Sequence, residues 1–576
     1  MFKHILDKSR KFIAVRRPLL LLFLIILSFF AGTTESAVLA NHDKRGLRTY
    51  TIDGILRLPD DEIDIATAAL ILSREWGINR TTHVYRRTID NMAEAILAKL
   101  KEKHLPLDHR AIGVINHYLF DELGFTSVDT AENPNDLFLH TVLEKKSGYC
   151  LGLSVLYLSI AERLGLPIYG VVVPGHFFVR YDDGRRQFNI ETTSKGAAAD
   201  DEHYITKFKP PNGSGTLYMK NLTKKQTLGC FFNNLGNSYM EVDDTGKAFE
   251  VLLRAVQINP LLSEANMNLG NVYLQKKMPL QAIEQYEKAL TIISHDAKAM
   301  NNLASAYMQL ADYPKAESYY RTALSLDPEY VDVYRNLANA IQMQGRYEEA
   351  ISQLKAAVVL NRDDANSFLL LGQIHRQTKQ FPDAEKYLSK ALTLDPLLSA
   401  ASVSLGFVYL DQGHLRLAET TFQKVLFHEN ALPQAHFGMA QIYFQRNQTD
   451  REIQSYETAL AYDPHNVAAL QNLGNAYMRN GDKSAAIVAY QQAIEIDPQN
   501  TDLHYNLAVS YAKMQKHQQA VAAFSKAITL DAANAAAYNG IAISYYHLGN
   551  KKLAGANARQ AKALGFDVQD ALLELK

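Results

Sequence analysis

Residues 467–500 read VAALQNLGNAYMRNGDKSAAIVAYQQAIEIDPQN and carry the clearest structural signal in the chain. Counted from Val467, small residues stand at position 8 (Gly474), position 20 (Ala486) and position 27 (Ala493). Small side chains let two helices approach each other closely. The spacing therefore predicts a helical hairpin whose two helices pack through these positions.

The same pattern recurs every 34 residues in ten copies from Gly229 to Val568, without an insertion. Position 8 is Gly or Ala in all ten copies, position 11 is Tyr in eight, and positions 20 and 27 are Ala in nine each. This pattern resembles the tetratricopeptide repeat (TPR). A hairpin of this kind cannot bury its own apolar face, so neighbouring copies must stack. We therefore predict an all-α TPR superhelical solenoid of about ten repeats over residues 223–568, followed by a tail at 569–576.

Asparagine recurs on the first predicted helix of the repeats. Position 6 is asparagine in six copies: Asn234, Asn268, Asn302, Asn336, Asn472 and Asn506. A row of carboxamides can hydrogen-bond the backbone of an extended polypeptide without reading its sequence. The row resembles the lining of the TPR groove in O-GlcNAc transferases, and this resemblance implies a protein or peptide partner. The other interpretation is that asparagine is simply common at this position of the repeat.

Residues 41–222 precede the repeats and combine helical and strand patterns, which predicts an α+β domain with a connector. Helical periodicity runs over 61–76, 83–103, 108–124 and 138–146. Cys150 is expected at or near the start of an apolar helix that ends at Gly165, and a β-branched strand over 168–173 then leads to His176.

Two stretches of alternating residues follow, with Asp183-Gly184 between them. Asp-Gly favours a two-residue hairpin turn, so the numbers of each cross-strand pair are expected to sum to 367. In this register His176 lies opposite Glu191, with Cβ atoms about 4.5–5.5 Å apart. The turn thus predicts a carboxylate beside the histidine.

Cys150, His176 and Glu191 have the chemistry of a nucleophile, a base and a group that orients the base. At a helix N-terminus the dipole and the free N–H groups favour a thiolate, and the same N–H groups can stabilise an oxyanion. The three residues are therefore candidates for a catalytic site.

The motifs around these residues resemble the SirB-like branch of the bacterial transglutaminase-like superfamily, over roughly residues 52–196. The resemblance is carried by GYC at 148–150, ERLGLP at 162–167, PGHF at 174–177 and ETT at 191–193. It implies an α+β papain-like fold with a Cys–His–acid triad. Cys150 and His176 match directly, whereas Glu191 stands where the family usually has Asp.

The leading hypothesis is an exported transglutaminase-like thiol enzyme that acts on protein or peptide amides, with TPR repeats that recruit protein partners. Water as acceptor would make it a peptidase or amidase, and an amine would make it an acyl transferase. The sequence leaves this choice open. The alternative is a non-catalytic TPR scaffold with a degenerate domain, because a buried cysteine also packs as a small hydrophobe. We interpret Cys230, the other cysteine, as a packing residue.

Composition limits the other function classes. The chain of 576 residues contains 60 Lys and Arg against 61 Asp and Glu, so no overall basic field exists to hold nucleic acid. With two cysteines, a disulfide-rich scaffold and an all-cysteine metal site are excluded. The chain has no Walker loop, HExxH or dinucleotide fingerprint, and we expect no cofactor and no metal.

The N-terminal residues have the layout of a targeting segment. Basic residues precede an apolar run at 18–34, which is typical of a secretory signal. Its 17 residues also reach the short limit for a membrane span. Residues 1–40 are therefore predicted to be a signal peptide or an N-terminal membrane anchor. Either form would place the protein in the periplasm, free or anchored in the cytoplasmic membrane.

Overall fold

The computed structural model describes residues 44–76, 82–128, 134–211 and 216–575. The predicted signal or anchor at 1–40 lies outside the described residues. Two units divide the chain, Met1–Val333 and Tyr334–Lys576. The first contains a mixed α/β region and the first repeats, and the second contains the later repeats, so the predicted fold class is confirmed.

The mixed region consists of helices around one small sheet. The helices are α1 (Ile52–Leu56), α2 (Ile65–Trp76), α3 (Thr82–Glu102), α4 (Ala111–Asn116), α5 (Leu139–Lys145), α6 (Cys150–Leu164) and α7 (Asp201–Phe208). A π-helical turn at His117–Glu122 continues α4. Helix α6 is mostly apolar and packs against α2, α3, α5 and the sheet, which bury nearly all of its residues. It forms the centre of this region.

The sheet has four antiparallel strands in the order β3-β4-β5-β6: Ile168–Val173, His176–Asp182, Gln187–Glu191 and Ala197–Ala199. β1 (Thr126–Ser127) and β2 (Ser147–Gly148) form a short parallel pair, and β2 precedes α6 in the sequence with only Tyr149 between them. Gly175, with φ +72°, turns the chain between β3 and β4 and places His176 at the first position of β4.

The predicted register between β4 and β5 is wrong by two residues. Val179 pairs with Ile190, so paired numbers sum to 369 rather than 367. The loop is longer because the Asp183 carboxylate accepts hydrogen bonds from the backbone N–H groups of Arg185 and Arg186, at 2.8 and 2.7 Å. A shift of two residues keeps every side chain on its face of the sheet. His176 and Glu191 therefore remain on the same face, as diagonal rather than direct neighbours.

The repeat region begins with α8 (Lys224–Glu241), which packs into the mixed region. Thr223 forms a capping box at its start, and the backbone N–H groups of Lys224 and Lys225 donate to the Asp60 carboxylate, both at 3.0 Å. The rings of Trp76 and Phe232 meet edge to face at 5.6 Å. The first repeat helix thus shares a core with the mixed region.

Two helices fall within each predicted repeat. The first helices are α8, α10 (Ser263–Gln275), α12 (Ala297–Gln309), α14 (Val331–Gln342), α16 (Ala365–Gln377), α18 (Ser399–Asp411), α20 (Pro433–Gln445), α22 (Val467–Asn480), α24 (Thr501–Lys513) and α26 (Ala535–His547). The second helices are α9 (Thr245–Ile258), α11 (Pro279–Ile292), α13 (Tyr313–Leu326), α15 (Tyr347–Leu360), α17 (Phe381–Leu394), α19 (Leu415–His428), α21 (Thr449–Tyr462), α23 (Lys483–Ile496), α25 (His517–Leu530) and α27 (Lys551–Ala563). From α9 onward, every first helix begins at position 1 and every second helix at position 17 of its repeat.

Position 8 is small because the side chain at position 24 fills the space beside it. A Cβ on Gly270 would lie 2.5 Å from the ring of Tyr286, and one on Gly474 would lie 2.6 Å from the ring of Tyr490. Glu452 replaces the usual alanine at position 20, and its buried carboxylate pairs with Arg479 at 2.5 Å. The small residue at position 8 therefore reflects direct packing between the two helices of one repeat.

The tail contains one more short helix, α28 (Asp570–Leu573), whose Leu572 packs on the last repeat. Within the described residues, no helix combines the length and the apolar character needed to cross a bilayer.

Candidate functional site

Cys150 is the first residue of α6, and two contacts of the neighbouring residues fix its position: close packing on Val142 and a hydrogen bond from α6 to Thr192. Glycines at 148 and 152 let the chain pass close to Val142, since a Cβ on either would lie 3.0 Å from that side chain. The hydroxyls of Ser154 and Thr192 share a hydrogen bond of 3.0 Å, which ties α6 to the residue after Glu191. Helix α6, which begins with Cys150, and strand β5, which ends with Glu191, are thus connected by a contact that does not involve the triad.

His176 contacts both of its predicted partners. Its Nε2 lies 2.7 Å from Oε2 of Glu191, and these side chains are only 14% and 10% exposed. Cys150 also interacts with the ring and contributes to the raised pKa of His176. Because Nε2 faces the carboxylate, Nδ1 is the ring nitrogen that remains for the thiol. The structure therefore brings the three candidate residues together in the order thiol, imidazole, carboxylate.

Charges and hydrogen bonds set the protonation of this group. Burial disfavours the charged imidazolium, but the hydrogen bonds and charges of Cys150 and Glu191 outweigh it and raise the pKa of His176 to about 9. Burial also disfavours the Glu191 carboxylate, yet the contacts with His176 and Thr193 lower its pKa to about 2. At neutral pH the site therefore contains an imidazolium beside a carboxylate.

Helix α7 supports the site in a way that the sequence did not predict. The Tyr204 hydroxyl donates to Oε2 of Glu191 at 3.0 Å, and the Phe208 ring stacks on His176 with 4.9 Å between ring centroids. Thr193 donates to Oε1 of Glu191 through its N–H and its hydroxyl, at 3.0 and 2.5 Å. The sequence offers one signal for this contact: Tyr204 and Phe208 are four positions apart, so they lie on the same face of a helix.

The triad opens onto a cleft of about 860 Å³. Cys150 and His176 lie on one wall, and the opposite wall is formed by α8 and α10 of the first two repeats. Asn234 and Asn268, two of the predicted partner-binding residues, line that second wall. Cys230 also lines it, but its side chain is buried, which raises the pKa of the thiol.

All six predicted partner-binding asparagines are half-buried, and several are used inside the repeats. Asn268 Nδ2 donates to Asn233 at 2.9 Å, and Asn302 Nδ2 donates to Asn271 at 3.0 Å. Asn472 interacts with Tyr456 and opposes the rise in its pKa that burial causes. The remaining residues of the set lie on the first helices of their repeats: Asn336 on α14 and Asn506 on α24. Part of the carboxamide row therefore connects neighbouring helices.

Among the residues that the structure describes, no group of three or more His, Cys, Asp or Glu side chains is arranged to hold a metal ion. The predicted absence of a metal and a cofactor remains a prediction.

Family models match both parts of the chain. Residues 83–226 match the transglutaminase-like superfamily. Several tetratricopeptide-repeat models match segments between residues 261 and 534. The chain thus carries a transglutaminase-like domain and a TPR array.

Relatives share parts of the chain at low identity. A UPF0162 protein of Xylella fastidiosa (strain Temecula1) is 26% identical over 224 residues, which cover 37% of this chain and 78% of that protein. F-box only protein 21 of Homo sapiens is 34% identical over 82 residues, which cover 14% of this chain and 13% of that protein. Among solved structures, MamA is 22% identical, with a TM-score of 0.26, over 28% of this chain and 94% of its own.

Proposed function

We propose that this protein is an exported thiol enzyme that acts on protein or peptide amides through Cys150, His176 and Glu191. The observation that carries the proposal is the position of His176, with the Cys150 thiol on one side and the Glu191 carboxylate 2.7 Å away on the other, at the wall of an open cleft. A non-catalytic domain has no need for this arrangement beside a cleft.

The chemistry follows from these contacts. The Cys150 thiolate attacks the carbonyl carbon of an amide, and the resulting oxyanion is stabilised by N–H groups at the start of α6. The C–N bond then breaks, the imidazolium of His176 gives its proton to the departing amine, and an acyl thioester remains on Cys150. Water or a second amine attacks the thioester and passes a proton to His176, the C–S bond breaks, and the Cys150 thiolate is released beside the imidazolium. Glu191 holds the ring in the required orientation throughout.

The TPR array supplies the partner-binding part of the proposal. Arrays of such repeats present extended surfaces to other proteins, and the first two repeats form one wall of the cleft. Export rests on the basic and apolar pattern of the N-terminal residues. A periplasm-active reporter fused to the C-terminus should be active, and activity of a cytoplasmic reporter alone would contradict export.

The catalytic proposal is tested by the alkylation rate of Cys150 with iodoacetamide near pH 7. His176→Ala should slow this rate by about tenfold or more, because the thiolate loses its imidazolium partner. Cys150→Ala should abolish labelling and turnover.

The matched control is His117→Ala, which removes an exposed histidine of the same domain. It should leave the rate unchanged. If Cys150 alkylates equally fast with and without His176, the two side chains are not coupled and the scaffold alternative is favoured.

A further inference from the structure

The repeat wall of the cleft contains a carboxyl group that the proposed chemistry does not use. Glu264 lies on α10 and faces the same cleft as Cys150 and His176. Its Oε2 atom is buried and has no hydrogen-bond partner in the part of the chain that the structure describes. The buried Tyr218 interacts with this carboxyl from inside the protein.

This wall is rich in hydrogen-bond acceptors. Asn268 is fixed by its bond to Asn233, and Glu241 accepts a hydrogen bond from Asn237 at 2.9 Å at the exposed edge of the wall. Carboxylates and carboxamide oxygens accept hydrogen bonds, and two of these groups carry negative charge when ionised. Among the residues that line the cleft, one is a Lys or Arg: the exposed Lys207, which lies over the ring of Phe208.

A buried carboxyl oxygen without a donor is costly, and Glu264 has one in a residue that lines a cleft. Burial raises the pKa of Glu264, against the hydrogen bond from Tyr218. A cation with several N–H donors would satisfy Oε2 and offset the cost of burying the charge. A primary ammonium group provides three such donors.

We propose that Glu264 forms a specificity subsite for a basic side chain of the polypeptide substrate. The substrate chain would lie against the carboxamides of α8 and α10, with a lysine-type ammonium at Glu264 and the reacting amide at Cys150. This inference rests on the proposed function for the identity of the reacting group, but recognition at Glu264 does not require turnover.

The test is direct binding to the full-length protein carrying Cys150→Ala, which separates recognition from catalysis. Two fluorescein-labelled octapeptides serve as probes: one alternates glycine with lysine, and the other alternates glycine with N-acetyllysine, which keeps the length and removes the charge. Fluorescence anisotropy should show that the lysine peptide binds about tenfold or more tightly, as a charge-assisted hydrogen bond allows.

Glu264→Gln should remove this preference, because the amide keeps the shape but not the charge. Glu250→Gln, which changes an exposed carboxylate on the outer helix α9, should keep it. Equal binding of the two peptides, or a preference that survives Glu264→Gln, would overturn the subsite. The first comparison needs no change at Glu264, so equal binding of the two peptides overturns the subsite even if that variant does not fold. Loss of the subsite would leave the alkylation result untouched, and loss of thiol coupling would leave the binding result untouched.

Discussion

The two walls of the cleft use their polar groups in different ways. On the transglutaminase-like wall, both oxygens of Glu191 are occupied by His176, Tyr204 and Thr193, and the imidazole is held between a carboxylate and a thiol. On the repeat wall, Glu264 keeps a buried oxygen without a donor. Groups that are fully paired hold a fixed geometry, whereas an unpaired group is available to a ligand. The comparison therefore assigns chemistry to one wall and recognition to the other.

The strongest way to break this assignment is Glu191→Gln. The amide can still accept the Nε2–H of His176, but it no longer stabilises the imidazolium, so we expect turnover to fall by roughly 10³–10⁴ while Cys150 still labels. The measurement is kcat on whichever amide substrate the intact protein turns over. Thr193→Val is the matched control, because it removes one donor to Glu191 and leaves the carboxylate and the backbone N–H. A fall smaller than that of the control would exclude a catalytic role for Glu191.

The repeat wall depends on close packing between helices, and a substitution can disturb this packing without changing a polar side chain. Gly270→Ala places a Cβ 2.5 Å from the ring of Tyr286, and such overpacking costs about 1–3 kcal/mol of unfolding free energy. Gly246→Ala is the control, because the nearest atom to its Cβ is the Asp244 carboxylate at 3.7 Å. Urea unfolding followed by circular dichroism should show a lower midpoint for the first variant alone. Equal midpoints would mean that the two helices move apart to accept the added methyl group without a loss of unfolding free energy.

A smaller effect sharpens the electrostatic description of the triad. Since the pKa of His176 is raised to about 9, its imidazolium should make Cys150 prefer the anionic iodoacetate over iodoacetamide, by about tenfold at neutral pH. The preference should disappear as pH rises through about 9, and His176→Ala should lack it at every pH. A preference that persists at pH 10 would place the positive charge elsewhere.

The same pKa values give the sign of the pH dependence of stability. The raised pKa of His176 contributes stability that is fully present below its ordinary value of 6.5 and is lost as pH rises through about 9. The lowered pKa of Glu191 contributes stability that is present above about 4.5 and is lost as pH falls through about 2. The pair should therefore stabilise the fold most between these limits, which thermal unfolding at pH 3, 7 and 10 can measure.

The repeats could be predicted from sequence because each depends on contacts inside a short window. Position 8 meets position 24 of the same repeat, so a glycine such as Gly474 and a ring such as Tyr490 are only 16 residues apart. Ten copies with the same spacing then predict where each helix begins. Glu452 breaks the pattern at position 20, and its partner Arg479 comes from the next repeat, which the 34-residue period alone does not show.

The site was harder to predict, because its details depend on distant segments. Alternation along β4 and β5 correctly predicted that His176 and Glu191 share a face, whereas the turn chemistry of Asp183 shifted the register by two. Tyr204 and Phe208 reach the triad from a helix whose placement no local pattern specifies. Glu264 lies 114 residues from Cys150, and only the docking of the repeats onto the mixed region brings both to one cleft.

The smallest expected effect concerns the carboxamide row. If Asn268 connects helices as well as binding a partner, Asn268→Ala should lower the unfolding free energy by about 0.5–1.5 kcal/mol, because Asn233 loses its donor. Asn557→Ala is the control, since that amide donates to the carbonyl oxygen of Leu553 within its own helix. Urea unfolding measures the difference. An unchanged unfolding free energy would mean that the bond to Asn233 contributes nothing to the fold. The amide of Asn268 would then be wholly available to a polypeptide in the cleft, as the recognition role of this wall requires.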